Sequence, residues 1–244
     1  MDAFAQNYDL MVGADYKKIA DFINSSIKKY KKDSVLVCDL GCGTATVALD
    51  LSFRGYDMIA IDSDSDMLIQ AKEKAQDLND NSVLFLNQDI ADFELYGTVD
   101  VIYSTLDTIN YILDKNSLNK LFLLVKNYLN YNGLFIFDIN TQYKFENVLN
   151  NNTFIYDLDS LYCVWNTLKC KNDIYNHNLT YFIKDGCNYK RFENTQTQRY
   201  YSQDFIESII KKHNFEILKC VDNYSNKKAN KITQRLTYVL KINK

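Results

Sequence analysis

The chain has 244 residues, of which 47% are hydrophobic and 24% charged, a composition that suits a soluble globular protein with one domain and an insertion. Its net charge is -3 with both signs interspersed, so it lacks the basic patch that a nucleic-acid-binding protein needs. Six cysteines without a Cys-x-x-Cys pair and only two histidines disfavour a zinc site and suggest reduced thiols, so we expect no metal and a cytoplasmic location.

Strand-like and helix-like runs alternate between residues 34 and 139. An amphipathic helix is predicted before them, over residues 15–30. The alternation predicts a doubly wound, parallel sheet covered by helices. The predicted strands span residues 35–40, 57–61, 83–86, 99–103 and 134–137, and the predicted helices span residues 45–53, 65–78, 108–113 and 118–129. We expect Ser63 and Ser117 to cap helix N-termini and Asn132-Gly133 to end the last of these helices.

The residue pattern changes after a short helix, which is predicted over residues 141–149. Residues 154–201 contain tyrosine-rich alternating runs, and the step Asp185-Gly186 is a strong hairpin signal. We predict an antiparallel meander of three or four strands there. A helix over residues 204–213 and strands over residues 215–221 and 232–242 follow it. The expected domains are a core of residues 1–150 and 202–244, with N-terminal lid helices in residues 1–33, and an inserted β cap of residues 151–201.

The most informative local feature is the turn Gly41-Cys42-Gly43 between the first predicted strand and the next helix. Such a turn brings backbone N–H groups up to a ligand at a helix N-terminus. The second predicted strand runs into Asp62, whose carboxylate can accept hydrogen bonds from two ribose hydroxyls in an open parallel sheet. A Rossmann dinucleotide site would have a third glycine where Thr46 stands. The turn therefore predicts a nucleoside-like cofactor and disfavours a dinucleotide.

Residues 39–44, Asp-Leu-Gly-Cys-Gly-Thr, resemble motif I of the class I S-adenosylmethionine-dependent methyltransferases. Three further segments look like that family's later motifs in the same order, at residues 61–68, 87–90 and 99–111. The resemblance covers most of the chain. It implies an α/β fold with a Rossmann-like seven-stranded sheet, mostly parallel with one antiparallel strand, and a small antiparallel β cap inserted after the fifth strand.

The resemblance also implies S-adenosylmethionine as cofactor and gives roles to particular residues. Asp39 would face the cofactor's ammonium, Asp62 the ribose and Met67 the adenine ring. Asp89 would accept from the adenine amino group beside the backbone N–H of Ile90, although capping of the turn at residues 90–92 is an alternative for it. The implied cofactor-binding residues are Tyr8 and Tyr16 in the lid, and Asp39, Gly41, Cys42, Gly43, Asp62, Ser63, Met67, Asp89, Ile90, Ser104 and Leu106.

The acceptor pocket is expected between the segment after the fourth strand, the lid and the cap, where donor and acceptor can be held away from water. Asp107 and Asn110 are the candidate catalytic residues, Asp107 to orient an ammonium or accept a proton, and an N-cap role fits Asp107 equally. Many relatives carry a histidine in the last cap strand, where Gln196 is the nearest analogue in this chain. We expect His177 and His213 at the surface.

The acceptor is expected to be a small molecule methylated on nitrogen or oxygen. The chain has no proline and therefore cannot contain the Asn/Asp-Pro-Pro-Tyr motif of amino-directed DNA and protein methyltransferases. We expect no nucleic-acid or membrane partner and a monomer or homodimer. Three alternatives remain open: a catalytically silent cofactor-binding protein, an aminopropyltransferase, against which Thr44-Ala45 argues, and a nicotinamide oxidoreductase.

Overall fold

The protein consists of a seven-stranded sheet with helices on both faces and a second, four-stranded sheet. The structure, a computed structural model, describes residues 3–80 and 82–243. In chain order its strands are β1 (Leu36–Leu40), β2 (Asp57–Asp62), β3 (Val83–Asn87), β4 (Val99–Ser104), β5 (Leu129–Asn140), β6 (Thr153–Leu158), β7 (Leu161–Lys169), β8 (Ile174–Asp185), β9 (Asn188–Arg199), β10 (Phe215–Asp222) and β11 (Arg235–Ile242).

The large sheet has the order β10-β11-β5-β4-β1-β2-β3. Strand β11 is antiparallel to both of its neighbours, and the other six strands share one direction. The winding reverses between β1 and β4, and open α/β sheets bind ligands at the carboxyl ends of strands beside such a switch point. The predicted fold class, with one antiparallel strand in a doubly wound sheet, is confirmed.

Helices cover both faces of this sheet, and each face has its own hydrophobic core. They are α1 (Ala3–Val12), α2 (Tyr16–Tyr30), α3 (Thr46–Phe53), α4 (Ser65–Asp77), α5 (Lys115–Tyr128) and α6 (Gln203–Lys212), with a 3-10 helix at Thr108–Tyr111 and a π-helix at Lys144–Leu149. Successive strand residues alternate between the cores: Phe135 and Phe137 of β5 pack with α5 and α6, and Leu134 and Ile136 pack with α2 and α3. None of the helices in the described part of the chain combines the length and hydrophobicity needed to cross a bilayer.

Both predicted serine caps are wrong, because an aspartate takes the N-cap position in each helix. Asp64 caps α4, and its carboxylate accepts from the backbone N–H groups of Asp66 and Met67. Asp114 caps α5 and accepts from the N–H of Ser117, which lies inside the helix. Aspartate and serine are about equally favoured at the N-cap, so propensity alone does not choose between neighbours.

The pair Asn132-Gly133 does not end a helix, as predicted, but lies inside β5. Helix α5 ends at Tyr128 and β5 begins at the next residue. Asn132 is left-handed with a φ of 58°, and the register between β4 and β5 shifts at this place. A left-handed residue serves a β-bulge as well as a helix C-terminus, so the Asn-Gly pair does not distinguish the two.

The small sheet is an antiparallel meander in the order β6-β7-β8-β9, inserted between β5 and α6. The predicted hairpin at Asp185-Gly186 is present, since Asp185 pairs with Asn188 across it. Side chains of β7 and β8 pack on α1, which also touches Met67 of α4. Helix α1 thus lies between the meander and the large sheet.

Candidate active site

The glycine turn is fixed to the end of the neighbouring strand β2. The backbone N–H groups of Gly41 and Cys42 donate to the carbonyl oxygen of Ile61 at 2.8 and 2.9 Å, and the N–H of Gly43 donates to Oδ2 of Asp62 at 2.7 Å. Both glycines are left-handed, with φ of 75° and 53°. Ala45, the N-cap of α3, makes no side-chain cap bond, so the first N–H groups of that helix receive no acceptor from it.

Asp62 is held by two backbone donors and keeps acceptor capacity towards the cavity beside it. Its Oδ1 accepts from the N–H of Asp64 at 2.9 Å, while its Oδ2 accepts from Gly43. Burial raises the pKa of Asp62, and these two N–H groups oppose that shift. Each carboxylate oxygen can accept a further hydrogen bond, so a fixed pair of acceptor sites faces the cavity.

A cavity of about 530 Å³ lies at the carboxyl ends of β1, β2 and β4. It brings together nine of the thirteen predicted cofactor-binding residues. These are Tyr8, Gly41, Gly43, Asp62, Ser63, Met67, Asp89, Ile90 and Leu106. Asp89 also accepts from the N–H of Ala91 at 2.8 Å, so it caps the turn and lines the cavity at once.

Tyr16, which was predicted to bind the cofactor from the lid, does not line this cavity and makes its contact elsewhere. Its hydroxyl donates to Asp9 at 2.8 Å, and the same carboxylate accepts from the Thr44 hydroxyl at 2.8 Å and pairs with Lys74. Asp9 therefore fastens α1 to the glycine turn and to α4. Ser104, another predicted cofactor residue, is buried and donates its hydroxyl to the carbonyl of Leu40 at 2.8 Å.

Asp39, at the end of β1, and Cys42, within the glycine turn, do not line the cavity. Cys42 is half-buried, and burial raises the pKa of its thiol, so it is a neutral, space-filling group. Asp39 is buried and accepts from the Tyr103 hydroxyl at 2.9 Å through Oδ2, while its Oδ1 has no partner in the described residues. Burial raises the pKa of Asp39 to about 8. A buried carboxylate oxygen without a donor marks a place where a cationic or N–H group of a ligand fits.

A second cavity of about 280 Å³ adjoins the first, and the two share lining residues. The shared residues are Phe4 and Tyr8 of α1, Leu106 and Tyr111 after β4, and Gln196 of β9. Its remaining walls come from all four strands of the meander, from the end of α1, from the π-helix after β5, and from Asp107, Asn140 and Arg235. The two cavities therefore form one cleft, with the second chamber closed by α1 and the meander.

The backbone after β4 has an unusual conformation that a buried carboxylate stabilises. Leu106 and Asp107 are consecutive left-handed residues, with φ of 56° and 58°, a conformation that costs energy in non-glycine residues. Their N–H groups donate to Oδ2 and Oδ1 of Asp138, each at 2.7 Å, and the Tyr224 hydroxyl donates to the same carboxylate. Asp138 at the end of β5 thus fixes the segment that carries Asp107.

Asp107 occupies the predicted N-cap position of the 3-10 helix, but its side chain is engaged in the second cavity and does not cap the helix. It makes no cap bond to the 3-10 helix, forms an ion pair with Arg235, and accepts from Nε2 of Gln198 at 2.6 Å. Burial would raise the pKa of Asp107, but the charge of Arg235, with Lys144 and the Gln198 amide, brings it below its ordinary value. Asp107 is therefore a carboxylate at neutral pH.

Asn110 has no contact with either cavity. Its amide nitrogen donates to the carbonyl of Arg199 at 2.8 Å, and its amide oxygen accepts from the N–H of Asn140 at 2.9 Å. The side chain is fully buried. It ties the segment after β4 to β9 and β5, so this geometry gives it a positioning role and its catalytic role stays a prediction.

The expectation that His177 and His213 lie at the surface is wrong. His213 is 6% exposed, packs on Phe122 and lies 3.1 Å from Oδ1 of Asn119. His177 is 3% exposed, lines the second cavity and pairs with Gln196 in the register of β8 and β9. The sequence did contain a signal for the burial of His177, because it alternates with Tyr175 and Leu179, which are buried on the same face of β8.

A chain of hydrogen bonds fixes the protonation of His177. Nε2 of Gln198 donates to Asp107, so Oε1 of Gln198 faces Nε2 of His177 at 3.2 Å and that ring nitrogen carries the proton. Nδ1 then accepts from the Thr167 hydroxyl at 2.8 Å. Burial lowers the pKa of His177, which keeps the ring neutral. Both ring nitrogens are engaged, so His177 orients Gln198, and through it Asp107.

A glycine turn after β1 and an acidic residue at the end of β2, in a doubly wound sheet whose last strand is reversed, define an α/β protein that binds a nucleoside cofactor. Residues 37–133 match the family described as "Methyltransferase domain". An S-adenosylmethionine-dependent methyltransferase from Clostridium acetobutylicum ATCC 824 is 35% identical, with a TM-score of 0.91 over 99% of this chain and 98% of that one. The chain belongs to the S-adenosylmethionine-dependent methyltransferases, as its motifs predicted, and S-adenosylmethionine is the cofactor of this family.

More distant structures share the fold. The CcbJ methyltransferase from Streptomyces caelestis is 16% identical, with a TM-score of 0.82 over 94% of this chain and 90% of that one. CalS10 from Micromonospora echinaspora, an amino pentose methyltransferase involved in calicheamicin biosynthesis, is 12% identical, with a TM-score of 0.79 over 100% of this chain and 98% of that one. At these identities the similarity concerns the architecture and leaves the acceptor of this chain to be inferred from its own residues.

Proposed function

We propose that the protein transfers a methyl group from S-adenosylmethionine to nitrogen or oxygen of a small molecule held in the second cavity. The observation that carries this proposal is the adjoining of two chambers that share five lining residues. The cofactor supplies a methyl group already activated on a sulfonium. The contribution of the chain is therefore to hold both molecules in line and to keep water out, and α1 and the meander enclose the chamber for that purpose.

The residues of the first cavity fit the cofactor. Asp62 and Asp89 offer carboxylate acceptors for a ribose diol and an adenine amino group, and Met67 offers an apolar surface for the base. The unpartnered Oδ1 of Asp39 supports its assignment to the cofactor's ammonium. In the second cavity, Asp107 is too weak a base for efficient proton removal, so we assign it the orientation of the acceptor.

Replacement of Asp62 with alanine should weaken S-adenosylmethionine binding by about tenfold or more, because charge-assisted hydrogen bonds to the ribose are lost. Calorimetric titration measures the affinity, and a separate titration with NAD tests the nicotinamide alternative. Asp57→Ala is the matched control, because Asp57 is exposed and lies at the other end of the same strand, β2. Unchanged affinity in Asp62→Ala would reject the ribose assignment.

Measurement of methylated product distinguishes a methyltransferase from a protein that binds the cofactor without catalysis. The protein is incubated with S-adenosylmethionine and a panel of small amines and hydroxyl compounds, and methylated product is measured by mass spectrometry. Formation of a methylated acceptor is the expected result. Cofactor binding without any product across the panel would contradict the proposal and favour a catalytically silent binding protein.

Cofactor binding should release about one proton at neutral pH, because a carboxyl group with a pKa of about 8 is mostly protonated there. A bound ammonium favours the ionised form of Asp39, which lowers its pKa and drives the proton into solvent. Calorimetry in two buffers with different ionisation enthalpies measures this release. Asp39→Asn, which has the same shape and no titration, should reduce it to near zero. The same release from that variant would rule out Asp39 as the ammonium partner.

A further inference from the structure

The second cavity contains hydrogen-bond donors whose capacity the described residues do not fill. Lys144 begins the π-helix after β5, lines the cavity, and donates from Nζ to the neutral amide oxygen of Asn140 at 2.9 Å. An ammonium has three N–H groups, so this bond leaves capacity for a ligand. Nε1 of Trp165, in the wall formed by β7, is buried and has no acceptor in the described residues. A buried donor such as Nε1 of Trp165 needs an acceptor, which the described residues do not supply.

The nearby carboxylates Asp107 and Asp138 act on Lys144 through their charge, but neither contacts its ammonium. Asp107 gives one oxygen to Arg235 and the other to Gln198, and Asp138 accepts from two backbone N–H groups and the Tyr224 hydroxyl. Arg235 also lies 3.6 Å from Asp138. Among residues 3–80 and 82–243, Lys144 forms no ion pair with a carboxylate. The N–H groups of its ammonium that Asn140 does not engage are therefore available to an anionic group inside the cleft.

A contact path joins the two donors. The ring of Trp165 lies edge-on to His177 at 5.7 Å between centroids, His177 contacts Gln198, and Asn140 reaches Oε1 of Gln198 at 3.4 Å beside Lys144. Apart from Asp107, Arg235 and Gln196, the other walls are apolar or aromatic, and the volume of about 280 Å³ is small for a ligand site. One free ammonium balances a single negative charge, whereas a phosphate near neutral pH carries closer to two.

We infer that the acceptor is a small carboxylic acid with an apolar or aromatic body, and that Lys144 binds its carboxylate and determines this specificity. The inference rests on the proposed function, because it takes the second cavity as the acceptor chamber. It names the substrate class that this chamber selects. Asp107, across the same cavity, remains available to orient the group that is methylated.

Trp165 provides a direct probe of this chamber, because it is the single tryptophan of the sequence. The full chain is titrated with benzoate, with its neutral analogue benzamide, and with phenyl phosphate, and tryptophan emission is followed. Benzoate should bind about tenfold more tightly than benzamide, as expected for a charge-assisted hydrogen bond, and at least as tightly as phenyl phosphate. In Lys144→Met, benzoate and benzamide should bind equally.

Lys169→Met is the matched control, because Lys169 pairs with Glu146 of the same π-helix, outside the cavity lining. It should keep the wild-type preference for benzoate. Calorimetry with S-adenosylmethionine tests the folding of each variant and should give the wild-type affinity in Lys144→Met. Equal binding of benzoate and benzamide by the wild type, tighter binding of phenyl phosphate, or a preference that survives in Lys144→Met would each overturn the inference. Failure of the proposed function would show instead in the cofactor titration and in the turnover panel.

Discussion

Replacement of Arg235 with methionine should lower the free energy of unfolding by about 3–5 kcal/mol, because breaking a buried ion pair leaves uncompensated charge. Arg235 lies between Asp107 and Asp138 with its side chain 11% exposed, and its removal would leave these two carboxylates facing each other. Asp138 also holds the left-handed residues after β4, so its ionised form is needed for the shape of the site. Urea unfolding of the wild type and the variant at neutral pH measures the loss.

The loss should depend on pH with a definite sign. Burial raises the pKa of Asp138 to about 6 and Arg235 opposes that shift, so removal of Arg235 raises this pKa further. A carboxyl group with a raised pKa in the folded state lowers stability as pH rises from its unfolded pKa towards its folded one. The deficit of Arg235→Met should therefore be smaller at about pH 5 than at neutral pH. A deficit that grows on acidification would contradict this account.

A surface arginine provides the control for Arg235→Met. Arg54 pairs with Asp21 and Asp50 in solvent-accessible positions, and such pairs contribute at most about 1 kcal/mol. Arg54→Met should therefore have a small effect. The double variant Arg235→Met/Asp107→Asn should recover part of the stability, because only one buried negative charge then lacks its partner. A loss below about 1 kcal/mol in Arg235→Met would show that the cluster is not electrostatically coupled.

The cofactor side of the cleft could be predicted because its signals are local in sequence. Gly41, Gly43 and Asp62 each stand at the end of a strand that apolar residues mark, and parallel strands bring such ends together. Nine of the thirteen predicted residues accordingly line one cavity. The side chains of the other four residues are engaged elsewhere: Tyr16 with Asp9, Asp39 with Tyr103, Cys42 with Gly43 and Ser104 with Leu40. Spacing in the sequence does not resolve such side-chain directions.

The acceptor side could be predicted only in part, because its residues come from distant elements. Asp107 follows a strand and was found, but Arg235 lies 128 residues and Gln198 91 residues further along the chain. Their pairing depends on the register of β11 and β9, which a single sequence does not state. Asp138 did carry a signal, since a carboxylate directly after an apolar strand is the pattern that identified Asp62.

Replacement of Gly41 with alanine should weaken S-adenosylmethionine binding by roughly 100-fold. This is a larger loss of affinity than the one expected for Asp62→Ala. The φ of 75° at Gly41 costs a side-chain-bearing residue about 1–2 kcal/mol. In addition, a Cβ there would overlap Cγ2 of Thr108 and lie 2.9 Å from its Oγ1. Thr108 begins the 3-10 helix whose residues line both cavities, so relief of the overlap displaces the walls of the cleft.

Two variants separate the overlap from the backbone strain. Gly186→Ala lies in the hairpin of the meander with a φ of 62° and open space around its Cβ, so it should lose about 1 kcal/mol of stability and bind the cofactor normally. Gly41→Ala/Thr108→Ala removes Cγ2 and Oγ1 and should recover most of the lost affinity, because the remaining Cβ of residue 108 lies 3.2 Å away. Calorimetric affinities and thermal unfolding of all four proteins, wild type included, measure both effects. An affinity of Gly41→Ala within about threefold of the wild type would mean that the turn can shift without moving the 3-10 helix, and that Gly41 is needed for its φ alone.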